Sequence, residues 1–188
     1  MNPKFRDAIE KVHQFCRQHK ADAWNVPPEG GRFLYMTAVA IGAKRILEIG
    51  TSYGFSGLHL AAAAHQNGGR LITVDKDPRK VEVSGGHFEM AGLADIVEQH
   101  CGPAQDVVAT LDGPFDLVFI DGVKRDCLAY FYAFGDKLSP RAVILTDNLT
   151  THREADFGEF LPMIRNHAQF TSAVVPVGNG FEYTVKTA

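Results

Sequence analysis

Residues 45–64 read RILEIGTSYGFSGLHLAAAA. Arg45 to Ile49 is a short apolar run closed by Gly50, which is how a strand buried on both faces reads. Leu58 to Ala64 is rich in leucine and alanine and reads as a helix. A buried strand, a glycine-rich loop and a helix in that order are the start of an alternation that the rest of the chain continues.

Toward the C-terminus, Leu71–Asp75 is a second strand. Asp77-Pro78 starts a helix, with Asp as N-cap and Pro in the first helical position, and Gly85-Gly86 weakens it. Ile96–His100, Phe115–Asp121 and Ala142–Thr146 are three more strands. Thr151-His152-Arg153-Glu154 resembles a capping box opening a helix, which Gly158 and Pro162 interrupt. Ser172–Val177 and Glu182–Lys186 flank Gly178-Asn179-Gly180, so they pair as a hairpin. Toward the N-terminus, Phe5, Ile9, Val12 and Cys16 recur at helical spacing in an otherwise charged segment. Residues 25–31 break that helix, and a second runs from about Arg32 to Ile41. The fold class is therefore α/β: a Rossmann-like, seven-stranded, mostly parallel sheet with helices on both faces and an antiparallel C-terminal hairpin at its edge. Residues 1–188 read as one domain, and the helices of residues 1–42 either cover its site or form a dimer interface.

Composition narrows the class of function. The chain has 188 residues, 45% hydrophobic and 22% charged, as in ordinary globular domains. A net charge of −3 offers no reason to expect nucleic acid as a partner. Cys16, Cys101 and Cys127 lack paired spacing, which argues against a disulfide framework or a cysteine zinc site and for a reducing compartment. The first twenty residues are interrupted by charge throughout, so they are neither signal peptide nor membrane span. A cytoplasmic protein acting on a small molecule, as a homodimer, is expected.

In open parallel sheets ligands lie beyond the carboxyl ends of the strands. The polar residues expected there are Glu48, Asp75, Asp121 and Asp147-Asn148. The loop after the first strand is not a dinucleotide fingerprint, because Ser52 stands where a second glycine must admit a pyrophosphate and Glu48 opposes its charge. S-adenosylmethionine (SAM) avoids both problems. It has no phosphate, and its sulfonium and ammonium are attracted to a strand-end carboxylate. Its own carboxylate suits the helix N-terminus near Ser56, Gly50 lets the loop pass close to it, and Asp75 can accept hydrogen bonds from ribose hydroxyls.

Five motifs, ILEIGTSYGFSGLHLA, LITVDKDP, FDLVFIDGVK, VILTDN and VPVGNGFEYTVK, carry a resemblance to the catechol O-methyltransferase-like, cation-dependent O-methyltransferases, running from about Asn25 to Lys186. The resemblance implies that Val26, Glu48, Gly50, Ser56, Asp75, Ala104, Gln105 and Asp121 bind the cofactor SAM. It implies that Asp121, Asp147 and Asn148 ligate a divalent cation, and that Lys124 is the catalytic base. Two carboxylates and an amide oxygen suit Mg²⁺, Ca²⁺ or Mn²⁺, and for Lys124 to act as base it must be neutral. The implied activity is O-methylation of a small hydroxylated, phenolic acceptor. A tRNA hydroxyuridine O-methyltransferase and a cofactor-binding protein with a decayed metal site are the alternatives. The chain departs from the family pattern at Gly122-Val123, at Cys127, where a tyrosine is expected, at Pro103, and after Asn148, where Leu149-Thr150-Thr151-His152 follows. His152 is near enough in sequence to Asp147 to reach the same site.

Overall fold

The computed structural model describes residues 1–188. Helices α1 (Pro3–Gln18) and α2 (Pro28–Ala40) precede strand β1 (Arg45–Ile49), α3 (Phe55–Asn67), β2 (Arg70–Asp75), α4 (Pro78–Ala91) and β3 (Val97–Cys101). Then come α5 (Ala104–Thr110), β4 (Phe115–Ile120), α6 (Cys127–Phe134), β5 (Leu138–Asp147), α7 (Phe160–Asn166), β6 (Phe170–Val175) and β7 (Phe181–Lys186). The seven strands form one sheet in the order β3-β2-β1-β4-β5-β7-β6. The first five are mutually parallel, and β7 runs antiparallel to both β5 and β6. The hairpin is thus as expected, but its second strand is inserted next to β5, and β6 forms the sheet edge.

Successive side chains of a strand face opposite sides, and β1 shows what that requires of a central strand. Ile46 joins a core with α1, α2, α3 and α4, whereas Leu47 and Ile49 join a second core with α5, α6 and α7. Both faces are covered, which is why β1, β2, β4 and the second half of β5 read as nearly continuous apolar runs.

The differences from the sequence-based elements have local causes. α2 begins at Pro28, four residues early, since proline is at home in a first helical turn. α4 runs unbroken through Gly85-Gly86, because Gln99 of β3 approaches it closely. The Gln99 amide donates to the Val81 carbonyl at 3.1 Å and to Ser84 Oγ at 2.7 Å, and a Cβ on Gly85 would stand 3.0 Å from Gln99 Oε1. β5 begins at Leu138 rather than Ala142: Ser139-Pro140 is unpromising for a strand, but an irregularity between Phe115 and Leu117 lets Leu138 pair with Phe115. The Thr151 capping box does not form. A 3₁₀ turn opens instead at Glu154, where the Arg153 N–H donates to Asp156 at 3.0 Å, and Gly158, with φ of 56°, separates it from α7.

Candidate functional site

A cavity of about 790 Å³ opens at the carboxyl ends of the parallel strands. β1 has β2 on one side and β4 on the other, so the chain's crossovers diverge there and leave a crevice. Gly50, Asp75, Ala104, Asp121, Lys124, Asp147, Asn148 and His152 all line it. Gly50 has φ of 102°, and a Cβ there would collide with the Asp121 carbonyl. Glycine is demanded by the neighbouring strand end, a reason the sequence alone does not disclose. Asp75 holds the loop in place, accepting from the Ser52 N–H at 2.7 Å and the Asp77 N–H at 3.0 Å.

Glu48 corrects the sequence-based picture. Its carboxyl is fully buried and does not open into the cavity. It accepts from Ser56 Oγ at 2.6 Å and from Thr73 Oγ1 at 2.7 Å, beneath α3. Burial pushes its pKa up from 4.5 to about 8, against those two hydrogen bonds and with the help of Asp121 and Asp75. Burial therefore favours its uncharged form, and its two oxygens are engaged by hydroxyls of the protein. Ser56 is likewise buried, with its hydroxyl committed to Glu48. Val26 is buried in the helical core, and Gln105 does not line the cavity. The ring of strand-end acids facing the cavity is therefore Asp75, Asp121 and Asp147.

The last two form the electrostatic centre. Burial raises the Asp121 pKa while Lys124 opposes the rise. Burial, then the neighbouring Asp121, push Asp147 up to about 7. Asp147 Oδ1 is buried without any hydrogen-bond partner, while Oδ2 receives the Asn179 amide at 3.4 Å. Asn148 sits at φ of 75°, and its amide nitrogen donates to Thr151 Oγ1 at 3.1 Å, which leaves its oxygen free. No group of three or more His, Cys, Asp or Glu is arranged to hold a metal. The set here is two carboxylates and an amide oxygen, all hard donors, with one orphaned oxygen and mutual repulsion that a divalent cation would relieve. These residues fit such an ion. Lys124 Nζ is 2.9 Å from Asp121 Oδ1, and its side chain is only 10% exposed. The amine thus lies at the cavity wall, directly against a strand-end carboxylate.

Several cavity residues escaped sequence reasoning. Trp24 and Asn25 reach the cavity from the segment between α1 and α2. That segment is tied down by Tyr53, whose hydroxyl donates to Asp22 at 2.7 Å, and by Lys80, which donates to the Asp22 carbonyl at 2.8 Å. Asn179 looked like a mere turn residue, yet the turn folds back on the end of β5, with the Thr150 N–H donating to its carbonyl at 2.9 Å. Ser52 also lines the cavity, and its Oγ is the other buried side-chain oxygen with no partner. Cys127 is buried in the second core, and burial pushes its thiol up to about 12. Tyr130, one helical turn later, is the residue that lines the cavity, its hydroxyl accepting from the Val123 N–H at 3.3 Å.

Residues 47–149 match a family model described as a methyltransferase domain. A catechol O-methyltransferase of Mycobacterium tuberculosis is 45% identical over 126 residues, which cover 66% of this chain and 56% of that protein. The matched stretch thus spans little more than half of that relative's length. The O-methyltransferase TomG from Streptomyces achromogenes, involved in tomaymycin synthesis and solved in complex with SAM, superposes with a TM-score of 0.85. It is 32% identical and covers 96% of this chain and 90% of its own. The O-methyltransferase from Bacillus cereus in complex with SAH gives a TM-score of 0.86 at 28% identity, covering 96% of this chain and 91% of its own.

Proposed function

Because this chain belongs to the methyltransferase-domain family, among its SAM-dependent O-methyltransferases, we propose that it moves the methyl group of SAM to a hydroxyl oxygen of a small phenolic acceptor, assisted by a divalent cation. The observation that carries this reading is the coincidence of the molecule's two orphaned buried oxygens, Ser52 Oγ and Asp147 Oδ1, with one strand-end cavity. A buried polar atom without a partner costs about 1–3 kcal/mol, and the cost is recovered when a ligand completes it.

The donor half of the cavity is the β1–β2 side. Asp75 is held by two backbone N–H groups and keeps acceptor capacity for a nucleoside's hydroxyls, and Ser52 Oγ offers a further polar contact there. Gly50 lets β1 and β4 converge, so that donor and acceptor lie side by side. The acceptor half is the β4–β5 side, where Asp121, Asp147 and Asn148 would hold the cation. When bound, that cation supplies a Lewis acid for the acceptor's oxygens. The transfer breaks the donor's carbon–sulfur bond as the acceptor oxygen bonds to carbon, and the hydroxyl proton leaves to a base. Lys124, whose amine is held 2.9 Å from Asp121 Oδ1, is the side chain placed to take that role. Orientation is the chain's main contribution, worth up to about 7–11 kcal/mol in the best-aligned systems.

Calorimetric titration with SAM and with NAD, followed by methyl transfer to catechol with and without chelator, tests the proposal. SAM binds and NAD does not; chelator stops turnover, added Mg²⁺ restores it, and SAM binding persists throughout. Binding of NAD in place of SAM would refute the cofactor, and full turnover in excess chelator would refute the cation.

A further inference from the structure

A second cavity, of about 390 Å³, lies among α1, α2 and α3 and shares no lining residue with the first. Its walls are apolar and aromatic, from Ile9, Tyr35, Met36 and Phe55. At its base is His59, only 3% exposed. One ring nitrogen of His59, Nδ1, lies 3.0 Å from the Phe55 carbonyl; Nε2 has no protein partner. The contact to a carbonyl assigns the hydrogen to Nδ1, which leaves Nε2 as an acceptor. Burial keeps this imidazole neutral, with its pKa pushed down to about 4 against the Phe55 hydrogen bond, and the charges of Arg32 and His13 push the same way. Three rings meet there: Phe55 contacts His13 at a tilt and His59 edge-to-face, at centroid distances of 5.3 and 5.0 Å.

Around the mouth stand Arg6 and Arg32, both exposed and neither in an ion pair, with Glu10 the only carboxylate. The cavity therefore asks for three things at once. Unpaired guanidinium groups at the entrance match an anion, best a carboxylate. The apolar middle matches an aromatic ring. A neutral imidazole acceptor at the base matches an O–H donor. We propose that this cavity is a second ligand site, taking a small aromatic acid that also carries a hydroxyl group.

The test uses 4-hydroxyphenylacetate on the full-length protein, followed by NMR. The Met36 methyl group reports this cavity, and the indole N–H of Trp24, the single tryptophan, reports the other. The expected result is a saturable shift of Met36. Phenylacetate, lacking the hydroxyl, and 4-hydroxyphenylacetamide, lacking the charge, each bind several-fold or more weakly. The exposed double variant Arg6→Gln, Arg32→Gln loses roughly tenfold in affinity at Met36, as expected for a charge-assisted contact, and leaves the Trp24 response unchanged. A shift confined to Trp24, equal binding of all three probes, or no shift at millimolar probe overturns the proposal. So does a Met36→Glu variant that splits a dimer in sedimentation, since the cavity would then be an interface between copies.

Discussion

Three carboxylates are almost completely buried in this molecule, and two of them, Glu48 and Asp147, lie near the same sheet edge under opposite conditions. Glu48 is completed from within: two hydroxyls donate to it, and Thr51 extends the network through Thr73 at 2.5 Å. Asp147 has one oxygen without a partner and another carboxylate beside it. The third, Glu182, falls with Glu48, its oxygens held by the Arg165 guanidinium at 2.9 and 2.7 Å. A carboxyl satisfied by the protein serves the fold. One left incomplete at a cavity wall is what the proposed cation site requires, and its cost to stability is the mark that separates it from the other two.

The strongest way to break this contrast is to remove each acid and ask what is lost. Asp147→Ala should lower methyl transfer by about 10³-fold, the scale of losing a Lewis acid worth several kcal/mol. Its thermal midpoint, measured without metal, should hold or rise, because a strained buried carboxylate is gone. A large drop in the midpoint would place Asp147 with the structural acids. Glu48→Ala should do the reverse: a loss of about 2–4 kcal/mol in denaturant unfolding, from a small cavity and two hydroxyls left unsatisfied, with SAM affinity of the folded fraction within a few-fold of the parent.

A pH series sharpens the same comparison. The folded Glu48 carboxyl keeps its proton to about pH 8, whereas the unfolded one releases it near 4.5. Between those values the unfolded state binds fewer protons, so stability falls as pH rises and levels off above the folded pKa. Glu48→Gln should flatten that part of the profile and gain most at alkaline pH. Parallel profiles for parent and variant would contradict a neutral buried Glu48. The smallest effect expected is for Ser52→Ala. One hydrogen bond of about 0.5–1.5 kcal/mol corresponds to a roughly 2–10-fold weaker SAM affinity, with kcat at saturating donor unchanged. A fall in kcat alone would move Ser52 from the donor side to the acceptor side.

The sheet was legible because buried parallel strands leave apolar runs that need no partner to be recognised, as in residues 46–49 and 117–120. Helices α5 and α6 were not seen. α5 is seven residues with one buried side chain, and α6 is eight residues, apolar almost all round, so neither carries a clear helical stripe. Within the candidate site, Asp75, Asp121, Asp147 and Asn148 were found because a strand end is a place sequence can name, and Lys124 through the family resemblance. Trp24, Asn25 and Asn179 were missed because their segments reach the cavity only after α1 and the hairpin have packed.

Sequence alone determined the α/β alternation, the strand ends and the family, since these depend on local periodicity and short motifs. Only the tertiary structure decided which acids line the cavity. Glu48 and Asp147 both lie at the carboxyl ends of parallel strands. What separates a neutral, hydrogen-bonded carboxyl under α3 from an unsatisfied one at a cavity wall is the set of neighbours that distant segments bring, and burial and charge act through those neighbours.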